Sequence, residues 1–201
     1  MEKYNTLKFY NDNAEDYFEQ TINGDMKNLC DRFLTYLPKS ASILDFGCGS
    51  GRDSKYFLEH GYRVKAIDGS ENLCTLASKY IGQQVQCMRF EELTDDSVYN
   101  GIWACSSIIH VERPMLPDVL ARMIRATKEN GIIFASFKKG NEEMIQSGKY
   151  FNYITRDIFE NLLNQVSSKS ELVDYYENDT CTGVNRPIVT WGNYLVRVRK
   201  K

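Results

Sequence analysis

Apolar positions along the chain follow two alternating periods. Ser42 to Phe46 is a short run reading as a strand, and Arg63 to Ile67 is a second one that closes on Asp68. Between later runs the spacing changes to that of a helix. Leu73, Leu76, Ala77 and Tyr80 recur at helical intervals within Glu71 to Tyr80. Gln84 to Phe90 and Gly101 to Ile109 read as a third and a fourth strand. Leu116, Val119, Leu120, Met123, Ile124 and Thr127 mark a further helix, opened by proline and closed near Asn130-Gly131. Ile132 to Phe137 is a fully apolar fifth strand. Strands that alternate with helices predict an α/β fold, a mostly parallel sheet with helices on both faces.

The remainder is organised around this core. Gly140 to Tyr153 is polar and reads as a loop or lid. Thr155 is placed to cap a helix carrying Ile158, Phe159, Leu162, Leu163 and Val166. Two late strands, around Glu171 to Glu177 and Trp191 to Val198, are joined by a connection from Asp179 to Pro187. At the other end, Tyr10, Ala14 and Tyr17 share one helical face. The expected organisation is one domain over residues 1–201, with a helical N-terminal lid (1–38), a ligand-binding core (40–140) and a C-terminal helix and strand hairpin (141–201).

Composition removes several classes of function. With 42% hydrophobic and 26% charged residues in 201 positions, the chain can bury the core of one domain. A net charge of −2 supplies no positive field for nucleic acid or an anionic membrane. The basic end, Arg197, Arg199, Lys200 and Lys201, reads as a solvated strand end. No stretch is long and apolar enough to span a bilayer, and the N-terminus lacks the core of a signal peptide. Cys30, Cys48, Cys74, Cys87, Cys105 and Cys181 form no C-x-x-C pair and no metal spacing with His60 and His110. A reducing cytoplasm and no metal are expected.

Chemistry concentrates in residues 43 to 53, Ile-Leu-Asp-Phe-Gly-Cys-Gly-Ser-Gly-Arg-Asp. Asp45 sits near the end of the first strand, and Gly47, Gly49 and Gly51 follow on alternate positions before a helix. Glycines permit the backbone angles of a sharp turn and let a ligand approach, while the new helix points its free N–H groups into that turn. A dinucleotide fingerprint would place its third glycine where Arg52 stands, and a P-loop lysine is missing. At the end of the second strand, Asp68 is suited to receive both hydroxyls of a ribose, or to cap the turn that Ser70 begins.

The run Asp-Phe-Gly-Cys-Gly-Ser-Gly resembles the first motif of class I S-adenosylmethionine-dependent methyltransferases, and Asp68-Gly69-Ser70 is similar to the family's Asp-x-Ser. The segment from Trp103 to Val111 resembles a subgroup that includes tellurite-resistance-type and other small-molecule enzymes. The resemblance implies a Rossmann-like seven-stranded sheet whose last strand is antiparallel, and S-adenosylmethionine as methyl donor. It also implies roles. Asp45 would orient the glycine loop by accepting backbone N–H bonds and meet the ligand ammonium. Arg52 would clamp the methionine carboxylate or else pair with Asp53 or Asp16. Arg89 stands where the family often has an acid for adenine, leaving backbone groups of Arg89 and Phe90 for that edge. Cys105 and Ser106 would offer carbonyls to the cofactor. His110 would serve as a base or orienting group near its working pKa, or simply be structural. Tyr10 and Tyr17 belong to the core or to a lid over the cofactor, and Tyr150 and Tyr153 are candidates for the substrate wall.

The reaction expected is an SN2 transfer of a methyl group to an O, N or S atom of a small molecule, which asks the protein mainly for alignment and exclusion of water. The Asn/Asp-Pro-Pro-Tyr type of sequence associated with nucleic-acid amino methylation is absent. Rival readings are a methyltransferase acting on RNA or protein, a noncatalytic S-adenosylmethionine-binding module, and a nicotinamide-dependent reductase. Neither nucleic acid nor membrane is an expected partner, and the oligomeric state is open.

Overall fold

A computed structural model describes residues 4–180 and 188–200. The chain begins with three short helices, α1 (Thr6–Asp12), α2 (Ala14–Thr21) and α3 (Lys27–Leu34). The α/β core follows as β1 (Ser42–Phe46), α4 (Arg52–Glu59), β2 (Arg63–Asp68), α5 (Glu71–Ile81), β3 (Gln86–Cys87), β4 (Tyr99–Ala104), α6 (Leu116–Ala126) and β5 (Thr127–Lys138). A small hairpin, β6 (Glu143–Gln146) and β7 (Lys149–Asn152), then precedes α7 (Arg156–Val166), β8 (Glu171–Thr180) and β9 (Val189–Arg197).

Seven strands form one sheet in the order β3-β2-β1-β4-β5-β9-β8. The first five are parallel, and β9 runs antiparallel between β5 and β8. The alternation of side chains across each strand divides the core in two. One face carries Leu44, Ile102, Ile133 and Val196 against α6 and α7. The other carries Ile43, Trp103, Phe134 and Leu195 against Phe33 of α3 and Phe57 of α4. Trp103 stacks on Phe134 with ring centres 4.0 Å apart, and Phe33 meets both rings edge-on or tilted.

Several boundaries differ from the sequence reading. The third strand shrinks from Gln84–Phe90 to two residues, because beyond Met88 the chain turns into a single 3-10 turn at Phe90–Glu92. The fourth strand starts at Tyr99 and stops at Ala104, where Ser106 takes φ +54° and breaks the ladder. The helix before β5 ends at Ala126 instead of near Asn130, and Asn130 with φ +64° lies inside the long strand. Gly140 to Tyr153 is no loop: β6 and β7 pair across it, with Gly148 at φ +75° in their turn. Part of the Asp179 to Pro187 connection, together with Cys181 and Lys201, lies outside the described residues. At the C-terminus Arg199 pairs with Glu171 at 3.2 Å and Lys200 with Asp96 at 3.7 Å. Among the described residues, no helix is long and apolar enough to cross a membrane.

Candidate active site

A cavity of about 680 Å³ opens above the carboxyl ends of the parallel strands and is roofed by α1 and α2. This is the crevice where open α/β sheets take ligands, at the point where strand order reverses on either side of β1. Of the residues singled out by sequence, Tyr10, Tyr17, Asp45, Gly47, Gly49, Arg52, Asp68, Gly69, Arg89, Phe90, Cys105, Ser106 and His110 all line it. Gly51 and Ser70 do not line it.

The glycine turn is set by packing on every side. Gly47, Gly49 and Gly51 all hold positive φ, +87°, +54° and +79°. A Cβ at Gly47 would lie 2.5 Å from Cβ of Ser107, and one at Gly51 would lie 2.9 Å from Ile81 of α5. Gly51 is therefore the residue that lets α4 and α5 approach. The turn hangs from β2, since the N–H groups of Gly47 and Cys48 donate to the Ile67 carbonyl.

Asp68 completes the turn. One carboxylate oxygen accepts the N–H of Gly49 and the other that of Ser70, each at 2.9 Å. Each oxygen keeps a lone pair for a second hydrogen. Burial raises the pKa of Asp68, opposed by the N–H bonds from Ser70, Gly49 and Gly69. Ser70 is buried and caps α5 by accepting the N–H of Leu73 at 3.3 Å. Of the two roles expected for Asp68, capping the turn that Ser70 begins is the one these contacts make.

The expected role of Asp45 is corrected. Asp45 accepts the Ser54 hydroxyl at 2.6 Å, while the loop N–H groups go elsewhere, that of Gly49 to Asp68 and those of Gly47 and Cys48 to the Ile67 carbonyl. Burial and the neighbouring Asp53 push the Asp45 carboxyl up to about 8. Arg52 pairs with Asp53 at 2.7 Å through Nε, with a second contact at 3.2 Å, and reaches the Thr21 carbonyl of α2 at 3.3 Å. Asp53 also receives the indole N–H of Trp103 at 2.9 Å. Sequence reasoning noted Asp53 only as one optional partner of Arg52. Its place in the first turn of α4, with Trp103 in the adjacent strand, was the available signal.

Beyond β3, Arg89 projects outward and its N–H donates to the carboxylate of Glu92 at 2.7 Å, so that N–H is already engaged. Phe90 packs on Phe46 with ring centres 4.6 Å apart. Cys105 has its thiol pushed up to about 12 by burial and by Asp53, which removes it as a thiolate nucleophile. The N–H of Ser106 donates to Ser136 Oγ at 2.8 Å.

At His110 the surroundings favour the neutral imidazole. Nδ1 faces the Tyr150 carbonyl at 2.7 Å, so it must carry the hydrogen, and Nε2 accepts from the Tyr10 hydroxyl at 2.8 Å. Burial, with Lys149 and Lys138 adding to it, lowers the imidazole to about 4. Tyr150 and Tyr153 do not line the cavity. The Tyr150 hydroxyl turns away to Glu143 at 2.5 Å, and that of Tyr153 lies near Met144. Tyr150 supports His110 through its backbone alone.

The far end of the cavity was not legible in the sequence. Ser136 of β5, Asn193 and Trp191 of β9, and Asn178 of β8 meet there with Met26 and Leu29. A polar Asn193 inside the apolar run of β9 was the signal that could have marked it.

The sheet order, the glycine turn and the acid closing β2 are similar to those of class I S-adenosylmethionine-dependent methyltransferases. The methyltransferase-domain family profile matches residues 43–131, a little under half of the chain. An uncharacterized methyltransferase of Staphylococcus carnosus is 24% identical over 173 residues, 80% of each chain. In fold, the chain is similar to 1,6-didemethyltoxoflavin N1-methyltransferase of Burkholderia thailandensis, solved with 1,6-didemethyltoxoflavin and S-adenosylhomocysteine. That match has a TM-score of 0.73 and 20% identity, covering 96% of this chain and 85% of that one. TehB of Haemophilus influenzae gives a TM-score of 0.71 at 20% identity, over 92% of this chain and 67% of its own. The turn fits S-adenosylmethionine: Asp68 keeps free lone pairs beside glycines whose Cβ atoms would collide with their surroundings.

Proposed function

We propose that the enzyme moves a methyl group to an O, N or S atom of a small-molecule acceptor held in the far part of this cavity. The observation that carries the reading is enclosure. Leu7 of α1 lies against Gly69 and Tyr17 of α2 against Gly49, so the N-terminal helices act as a lid over a space of about 680 Å³. That volume falls in the range of roughly 300–1,000 Å³ typical of small-molecule clefts. The similar enzyme from Burkholderia thailandensis, solved with 1,6-didemethyltoxoflavin bound, supports the same class of acceptor.

S-adenosylmethionine, when bound, supplies a methyl group already activated on sulfur. The protein's residues then bind, orient and exclude water. Asp68 receives the ribose hydroxyls on its free lone pairs. Arg52, fixed by Asp53, presents its guanidinium to the methionine carboxylate, while Phe90 and the backbone at Arg89 border the adenine. Cys105 and Ser106 border the reacting end through their backbone. His110, neutral and capped by Tyr10, holds the lid shut and is assigned as a positioning residue.

The test is formation of S-adenosylhomocysteine from S-adenosylmethionine across a panel of small phenols, thiols, amines and heterocycles, run beside bulk RNA and protein. Turnover with a small molecule alone is the expected result. Turnover confined to RNA or protein, or cofactor binding without turnover on any substrate, would overturn the reading.

A further inference from the structure

The last two strands wall the far lobe of the cavity, and one amide there keeps free donors. Asn178 of β8 stands directly opposite Trp191 of β9, and two residues along on the same face Tyr176 stands opposite Asn193. Asn178 and Trp191 both line the cavity, and both are only partly buried, so a molecule in the lobe can touch them.

Behind them Asn193 is fully buried, and it fixes how Asn178 is turned. The amide nitrogen of Asn193 donates to the Tyr176 carbonyl at 3.3 Å and to Oδ1 of Asn178 at 2.6 Å. Turning Asn193 over would set its oxygen against the Tyr176 carbonyl. Turning Asn178 over would set two amide nitrogens, both donors, face to face. Each amide is therefore held one way round. The oxygen of Asn178 is taken up inside the protein, while its nitrogen, with two hydrogens, donates to no group among the described residues. Beside it the indole N–H of Trp191 donates to Thr180 Oγ1 at 2.9 Å. That bond uses the one polar atom of the ring, so Trp191 meets a ligand with apolar carbon alone.

We propose that Asn178 is a specificity determinant for the acceptor, its side-chain N–H donating to a carbonyl oxygen or ring nitrogen of a flat molecule that lies against Trp191. This rests on the small-molecule reading above and narrows it to a chemical class. An amide nitrogen only donates, so the acceptor must bring the lone pair. A flat molecule gains contact with an indole that Thr180 already holds in place, and so orders no further side chain on binding.

The experiment uses the full chain saturated with S-adenosylhomocysteine and measures binding of two flat bicyclic probes by ligand-detected NMR titration. Coumarin carries a carbonyl and no donor, whereas indole carries an N–H and no lone-pair acceptor. The informative variant is Asn178→Asp, which keeps an oxygen for Asn193 and exchanges the free donor for an acceptor. Wild type should favour coumarin over indole. The ratio of the two affinities should fall by roughly tenfold or more in Asn178→Asp, the effect of one hydrogen bond lost to coumarin and one gained by indole. Asn178→Ala should lower the ratio by a smaller factor and replaces the first variant if that one fails to fold. Preference of wild type for indole, no binding of coumarin at all, or a ratio that survives loss of the Asn178 amide would each overturn the proposal. Failure of S-adenosylhomocysteine itself to bind would instead overturn the cofactor assignment beneath it, and turnover on RNA or protein alone would overturn the small-molecule reading.

Discussion

Lowering the pH from about 7 to about 4.5 puts strain on the contact that joins the N-terminal helices to the core, through the titration of one histidine. His110 donates from Nδ1 to the Tyr150 carbonyl and accepts the Tyr10 hydroxyl at Nε2, so its neutral form satisfies both neighbours. A second proton would force N–H against the Tyr10 hydroxyl, in a site packed by Phe151 and flanked by Lys138 and Lys149. In the unfolded chain the group titrates near 6.5, and in the native site near 4. Between these values the unfolded state takes up a proton that the native state refuses. The contribution is therefore whole above about 6.5 and is lost progressively as pH falls toward 4, amounting to about 3 kcal/mol. For a chain of this size about 1 kcal/mol corresponds to about 2–4 °C in Tm. Thermal melts of wild type and His110→Gln across this pH range check the reasoning. The variant should begin lower at neutral pH by about 1–2 kcal/mol for its lost bonds, and wild type should then lose roughly 6–12 °C more than the variant on acidification. Parallel curves would refute the assignment.

Three further outcomes follow from other contacts. Gly51→Val should cost about 2–4 kcal/mol, because a side chain at φ +79° is strained and its Cβ would press on Ile81 of α5 at 2.9 Å; denaturant unfolding measures it. Asp45→Asn should flatten a decline in stability on the alkaline side. The wild-type carboxyl, raised to about 8, contributes fully below its ordinary unfolded value and loses that contribution as pH rises through the folded value. Denaturation midpoints at about pH 6 and about pH 9 make the comparison. Arg113→Ala removes donors to Asn152 Oδ1 at 3.0 and 2.9 Å, to the Tyr153 carbonyl at 2.9 Å and to the Asn141 carbonyl at 3.0 Å. Amide exchange across Lys149–Asn152 should then quicken by tenfold or more, at about 1.5–3 kcal/mol for each charged donor lost.

Much of the core was readable because local signals agreed with one another. The run from Glu71 to Ile81 has helical spacing, a serine cap and a glycine end, and it forms α5 as expected. The hairpin β6–β7 had no such signal. All four residues of β6 are exposed, so no alternation of apolar positions marks it, and part of what fastens it is Arg113, whose partners lie far away in sequence. The third strand was read too long because its apolar spacing continues into Phe90, which packs on Phe46 from a turn instead of a strand. In the site, the glycine turn and Asp68 were legible since the ligand-facing atoms belong to one contiguous motif and the strand beside it. Ser136, Asn193 and Asn178 were not, because only the strand order β5-β9-β8 brings them side by side. His110 was legible as a residue of the site, but not its state, which depends on a tyrosine a hundred positions away.

The most direct test of the account is calorimetric titration of wild type and Asp68→Ala with S-adenosylhomocysteine, both shown to be folded by circular dichroism. Asp68 holds the turn through N–H bonds that include those of Gly49 and Ser70, and on the proposed reading its remaining lone pairs receive the ribose hydroxyls, so its loss should weaken binding by about 2–4 kcal/mol, roughly 30- to 1,000-fold. Saturable one-to-one binding by wild type and a loss of that size in the variant are what the structure predicts. Absence of wild-type binding, or equal affinity in the two proteins, would contradict it.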